Sequence, residues 1–323
     1  MTRPIALLLL ALAVFAPGAF AQMVTPSLDP SEPLVLPAAG SWRYLKGENE
    51  QDDNRTATVA AGTLQGSWAE SDDSSKREIS ANRGLLVAQA ENVNIEAQST
   101  GSEKIKYTNI DALGVSSTYE TVGSTSQFSF AYLLKQLSLG GSYRSSSTQR
   151  SSYDDQKETG LGLSATYQLG RVFFAGFGVE QVSQPESYRP AVDWNVTSYG
   201  FALMAGKPDE TLLRLEYANQ RSLRAAAEGT YYNNVHQESV LTQLTAEIKM
   251  TNLLLSARTE TTSRLEWSEY NLSSGELKTS RVGLGWVPSN GWIISGYQTS
   301  YTETAGTTER QGNLTEVAVG YNF

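Results

Sequence analysis

The sequence predicts an all-β chain, closed as a transmembrane antiparallel up-and-down β-barrel of fourteen strands, with twelve as the alternative. Three observations carry this reading. Apolar and polar residues alternate with period two from about Arg55 to the C-terminus, the pattern of a strand with one apolar and one polar face. No stretch sustains the i, i+3, i+4, i+7 stripe of an amphipathic helix. Links between the alternating stretches are short and long in turn, as in a barrel with tight turns on one rim and longer loops on the other.

The chain opens on an export signal. Met1 to Ala21 has a basic start at Arg3, an apolar run Ile5–Phe15, a Pro17-Gly18 breaker and a small-residue Ala19-Phe20-Ala21 site, placing cleavage before Gln22. The apolar run is too short to be a membrane anchor, which needs roughly 20 residues. Residues 22–54 form a periplasmic Pro-rich segment, with Pro26, Pro30, Pro33 and Pro37 favouring extended, polyproline-like chain. Residues 55–323 form the barrel.

Within it, twelve stretches read as strands from residue 104 on: 104–118, 123–134, 137–147, 158–168, 171–181, 192–206, 211–221, 238–249, 253–264, 276–287, 292–302 and 312–323. Residues 55–69 and the clean alternation Asn92–Gln98 add two more, with 70–83 as an outside loop and 99–103 as a short turn. If those two are not strands, residues 22–103 form a periplasmic segment or a plug. Short links are expected at 135–136, 168–171, 206–210, 250–252 and 288–291. Long ones are expected near 148–157, 182–191, 222–237, 265–275 and 303–311. Outside the signal and the Pro-rich segment, every proline (Pro185, Pro190, Pro208, Pro288) falls in a link, as a hydrogen-bonded ladder in lipid requires. Tyr167, Trp286, Trp292, Tyr321 and Phe323 lie beside the short-turn rim, and Tyr143, Tyr217, Trp267 and Tyr301 near the other, an arrangement of two aromatic belts.

These features, with the final Tyr321-Asn322-Phe323, resemble the outer-membrane β-barrel proteins of Gram-negative bacteria, a porin-like superfamily. The resemblance covers about residues 55–323. It implies location in the cell outer membrane among lipid and lipopolysaccharide. It also implies a terminal assembly signal, here Tyr321 and Phe323, read by the barrel-assembly machinery.

Composition removes most other classes. Lys+Arg number 25 against 34 Asp+Glu, a formal charge of −9, so a nucleic-acid partner is not expected. There is no Cys, which excludes disulfides, thiolate zinc sites and cysteine nucleophiles. A single His leaves one position for imidazole chemistry: His236, three residues from Ser239 and therefore on the opposite face of a strand. The glycine pairs, such as Gly160/Gly162 and Gly283/Gly285, lack a phosphate-binding spacing and read as room for curvature and neighbouring rings. Acidic clusters at 50–53, 72–73 and 154–155 lack the calcium-loop form. No cofactor, no metal and no enzymatic activity is expected.

The polar face carries the functional signal. Arg144, Arg214, Glu216, Glu247, Lys249, Arg258, Glu260, Arg264, Glu266 and Arg281 fall on the parity opposite the apolar band. On a lipid face each Arg or Lys would cost roughly 2–4 kcal/mol near the midplane. They are therefore expected to line a pore. The leading expectation is a passive channel for small polar solutes, with only mild ion selectivity because both signs are present. The alternative is a non-conducting barrel for envelope assembly, polymer export or surface attachment, with the Pro-rich segment docking a periplasmic partner. A rim-located lipid-modifying enzyme rests on His236 alone.

Overall fold

Alternation along the sequence becomes fourteen antiparallel strands, each paired with its neighbours in chain order. The computed structural model describes residues 55–323 apart from 71–73, 91–92, 112, 135, 151–154, 170–171, 186–190, 207–210, 225–235, 268–271 and 289–290. The expected signal 1–21 and Pro-rich segment 22–54 lie outside the described residues. The strands are β1 (Arg55–Glu70), β2 (Ser75–Ala90), β3 (Val93–Ile110), β4 (Ser116–Leu134), β5 (Leu137–Arg150), β6 (Gln156–Leu169) and β7 (Phe173–Gln184). They continue as β8 (Val192–Gly206), β9 (Thr211–Arg224), β10 (His236–Met250), β11 (Leu253–Trp267), β12 (Leu272–Trp286), β13 (Trp292–Ala305) and β14 (Thr308–Asn322). The sheet closes when β14 pairs with β1, from Thr58↔Asn322 to Glu70↔Arg310. No strand edge is left open, as hydrocarbon demands of any β structure that spans it.

Fourteen is the expected number, but the first strands are bounded differently. The expected outside loop 70–83 is mostly β2, and the expected turn 99–103 lies inside β3. Register explains the second difference. Pairing of β3 shifts by one residue between Thr100 and Glu103 against β4, and correspondingly against β2. One extra residue in β3 is a β-bulge, and it moves the inward-facing set from Asn94, Glu96 and Gln98 to Glu103, Ile105 and Tyr107. A bulge interrupts period two just as a turn does. The outer half of β2 hides its alternation because it is charged on both faces, with Lys76 and Glu78 outward and Arg77 and Arg83 inward.

The strict alternation of short and long links is also corrected. The strands run from 12 residues in β7 to 19 in β4, longer than the roughly 9–11 needed to cross a bilayer, so they consume much of each expected loop. The expected long link 303–311 is reduced to Gly306-Thr307, between the paired Ala305 and Thr308. Gly306 has φ +61°, the sign that two-residue hairpin turns need at their first central position. At the β3–β4 link, Asp111 Oδ1 accepts hydrogen bonds from the Leu113 and Val115 amides, at 2.9 and 2.8 Å.

Outside, the apolar set is exposed as a lipid-facing band: Phe128, Phe130, Leu161, Leu163, Phe201, Leu255, Leu284 and Val317 all belong to it. Trp286, Trp292 and Phe323 stand on its short-turn margin, where Trp292, Tyr321 and Phe323 meet edge-to-face at 5.3 and 4.9 Å. Tyr301 is a correction to the belts. It shares the inward parity of Ile293, Tyr297 and Thr299 and packs toward Leu64 and Leu314 inside the barrel. Above the band, outward charges pair with each other, as in Lys76–Glu78 (2.8 Å), Arg221–Glu238 (2.6 Å) and Lys278–Glu276 (2.6 Å).

The closing seam is lined with glycine. A Cβ at Gly312 would overlap Ser67 and Trp68, and one at Gly66 would lie 2.8 Å from Leu314 Cα. At Gly320 it would meet Val59 O at 2.8 Å. By contrast, at Gly296, away from the seam, the nearest atom is Glu316 O at 4.0 Å. Gly312→Ala should therefore cost about 1–3 kcal/mol through overpacking against backbone, while Gly296→Ala should be near neutral. Urea unfolding of both variants in lipid vesicles checks this, and equal stability would contradict the close seam.

Candidate functional site: a charged lumen

Within the apolar band, the strands that wall the barrel place one charged residue after another on the inner face, the parity opposite the exposed apolar set. They pair in three tiers. At the outer rim, Arg310 bonds Glu70 at 2.6 Å and Glu303 at 3.4 Å, and Arg77 lies 3.6 Å from Glu303. The Arg77 guanidinium also sits over the rings of Trp68 (5.7 Å) and Tyr107 (5.3 Å). In the middle, Glu316 receives Arg83 at 3.1 Å and Arg281 at 3.3 Å. Arg258 lies 3.9 Å from Glu260, which accepts a 3.3 Å hydrogen bond from Thr279 Oγ1. Arg281 stacks 3.8 Å from the Tyr297 ring centroid. On the lumen-facing side of β5–β7, Arg144 Nε donates to Glu180 Oε1 at 3.0 Å. Deeper still, Arg214 is held between Glu247, at 2.8 Å, and Glu216, and Gln243 Nε2 donates to Glu216 at 3.3 Å.

A cavity of about 520 Å³ occupies the outer half of the lumen. Its charged lining is balanced: Arg83, Arg144, Arg258 and Arg281 against Glu158, Glu180, Glu260 and Glu316. Gly160 makes one of these positions possible, since a Cβ there would overlap the Glu180 carboxylate. The room expected for a neighbouring ring is found instead at Gly283, where a Cβ would lie 2.5 Å from Tyr297 Cδ1.

The ten expected pore residues divide by depth. Arg144, Arg258, Glu260 and Arg281 line the cavity. Arg214, Glu216 and Glu247 form the deeper cluster, and Lys249 lies half-buried beyond them toward the short-turn rim. Arg264 and Glu266 are exposed at the outer end of β11. Arg83 joins the lining, and Arg77 the outer-rim tier, although alternation does not mark β2 as a strand. Glu180 and Glu316 join it too, and their parity in 171–181 and 312–323 is the signal in the sequence that identifies them as inward. His236 opens β10 opposite Trp267, and its side chain lies outside the described residues. Ser239 is in the same strand three positions on and lines the cavity, so the two positions take opposite faces. Among the described residues no group of three or more His, Asp or Glu side chains could hold a metal ion. No helix among them is long and apolar enough to cross a membrane, which says nothing of strands.

Solved structures give the context for this geometry. No protein-family model matches the chain, and no curated protein matches it. The CymD monoaromatic hydrocarbon channel superposes with a TM-score of 0.51 at 11% identity, over 84% of this chain and 89% of that one. A deltaS2 mutant of the TodX monoaromatic hydrocarbon channel gives 0.53 at 10% identity, over 84% and 90%. The translocator domain of the autotransporter NalP from Neisseria meningitidis gives 0.38 at 13%, over 85% and 90%. The chain shares the closed antiparallel barrel fold of these two channels. At these identities the likeness is one of fold, and the lumen chemistry has to be read from this chain's own residues.

The deeper cluster gives a direct test of how the lumen is held. Glu247 is fully buried beside Arg214. Arg214→Leu should destabilise the barrel by roughly 3–5 kcal/mol, the cost of stranding a buried charge. Adding Glu247→Leu should recover a large part of that loss. Vesicle unfolding of the single and double variants reads both, and additive losses would show that the two side chains do not act as a pair.

Proposed function

We propose that the barrel is a passive channel for small polar solutes, entered through the outer cavity. The observation that carries this reading is the lining of that 520 Å³ space by four Arg and four Glu side chains. These groups hold water and offer hydrogen bonds to a polar solute, and apolar side chains such as Leu64, Val196, Leu241 and Leu314 share the lining. The solved neighbours named for monoaromatic hydrocarbons share the wall, and the cargo proposed here differs with the lining. Balanced charge favours mild selectivity, since neither sign dominates the field along the path. The same reading takes the exposed Phe323 and its edge-to-face partner Tyr321 as the handle for assembly into the membrane.

Arg258 is the residue to change. It lies mid-strand on β11, two residues from Glu260 on the same face, and both border the cavity. In a planar bilayer under a salt gradient, Arg258→Glu should move the reversal potential toward cation preference. The shift should shrink as ionic strength rises and screening shortens the field. Heat-modifiable migration on gels establishes that the variant is folded. An unchanged reversal potential in a conducting variant would take this wall out of the path. A sealed bilayer with both the full chain and a chain beginning at residue 55 would overturn the channel reading.

A further inference from the structure

The outer half of the lumen carries a continuous row of rings that the charge pairs do not explain. Tyr301 on β13, Gly312 on β14, Trp68 on β1, Arg77 on β2, Tyr107 on β3 and Tyr119 on β4 are cross-strand partners, each directly opposite the next. Partners share a face of the sheet, and Tyr301 lines the cavity, so the whole row faces the lumen. It has no break. Gly312 adds no side chain, and across it the Tyr301 and Trp68 ring centroids lie 6.1 Å apart. The Arg77 guanidinium bridges Trp68 and Tyr107, and Tyr107 stacks on Tyr119 at 4.6 Å. Rings that only packed the wall would be covered, as Tyr297 is beneath Arg281, at 4% exposure. The four rings of the row are half-exposed.

We infer that this row is a binding track for a neutral saccharide; the inference rests on the channel reading and narrows its solute. A pyranose has an apolar face of C–H groups and a belt of hydroxyls around its edge. The C–H face suits the electron-rich face of Trp or Tyr. The hydroxyls both donate and accept, so they need both kinds of partner. The wall supplies them. One inward-facing position nearer the outer rim stand Glu303, Arg310 and Glu70, with Arg310 bonded to Glu70 at 2.6 Å and to Glu303 at 3.4 Å. On the other side of the row, Ile79, Ile105 and Leu314 make an apolar margin. Five steps between neighbouring strands, at roughly 4.8 Å each, make the row about 24 Å long, room for several sugar rings in line. An uncharged ligand also fits the cavity that the row enters at Tyr301, where four Arg and four Glu favour neither an anion nor a cation. A hydrocarbon would match the rings but has no hydrogen bond to offer their polar margin.

The test is current block in a planar bilayer with the full chain. Maltohexaose or cellohexaose added on the outer side should interrupt the ion current, because a sugar seated in the path displaces conducting water. Trp68→Ala should raise the concentration for half-block about tenfold, the loss of one stacked ring, while Trp68→Phe keeps most of the block. Equal block in Trp68→Ala would overturn the inference. So would an open current that neither saccharide interrupts, and in that case the channel reading stands. Should Trp68→Ala fail to fold, Tyr119→Ala takes its place with the same expected loss, since it lies at the end of the row away from the closing seam. A sealed bilayer would overturn the channel reading alone, and calorimetry on the folded barrel in detergent then decides the track. Saccharide binding that Trp68→Ala weakens about tenfold supports it, and no binding overturns it.

Discussion

Everything in this barrel depends on one seam, the antiparallel pairing of β1 with β14. In hydrocarbon an unpaired amide or carbonyl costs several kcal/mol, so a sheet there must have no edge. The other strand pairs join chain neighbours and form from local hairpins, whereas this one joins the two ends of the barrel sequence, as in Ser67↔Asn313. That closure has the longest loop to close and draws on glycines at 62, 66, 312 and 320 to let the strands approach. It also fixes side-chain parity around the ring, because a slip of one residue would turn every inward side chain of a strand outward.

Parity then writes the lumen. Once the apolar set faces lipid, the charged set has one place to go, and there it must be compensated. The structure shows how: Glu316 holds Arg83 from β2 and Arg281 from β12, tying strands on both sides of the seam. Arg310 on β14 does the same with Glu70 on β1 and Glu303 on β13. The charges that give the cavity its chemistry thus reinforce the joint that closes the wall. Low dielectric makes each such pair strong and each lost partner costly, which keeps the cavity's rim ordered.

How much of this is legible in the sequence follows from the same rule. Where alternation runs unbroken, as from 192–206 to 292–302, it locates the strands within a few residues, and with them the inward parity of Arg214, Glu247, Arg258 and Arg281. The strand number comes out right through two errors that cancel: alternation omits β2 and splits β3 in two. Both have a physical source. The bulge near Gly101 interrupts alternation without ending the strand, and the outer half of β2 projects past the lipid, where nothing demands an apolar face. Distance to a rim assigns Tyr301 to an aromatic belt; its parity with Tyr297 places it inside. The pairing of Glu316 with two arginines from strands far apart in sequence is not legible without the closure, since it depends on register between β1, β2, β12 and β14.

The most direct test is to lock the seam. Ser67 and Asn313 are cross-strand partners with outward-facing side chains, close enough for a disulfide between paired strands. Gln311 faces the same way but sits two residues out of register with Ser67. Mild oxidation of the membrane-inserted protein should crosslink Ser67→Cys with Asn313→Cys, read as altered migration of the unfolded chain, and should leave the Ser67→Cys/Gln311→Cys pair open. A crosslink in the second pair and not the first, or in neither, would contradict a fourteen-strand barrel closed in this register.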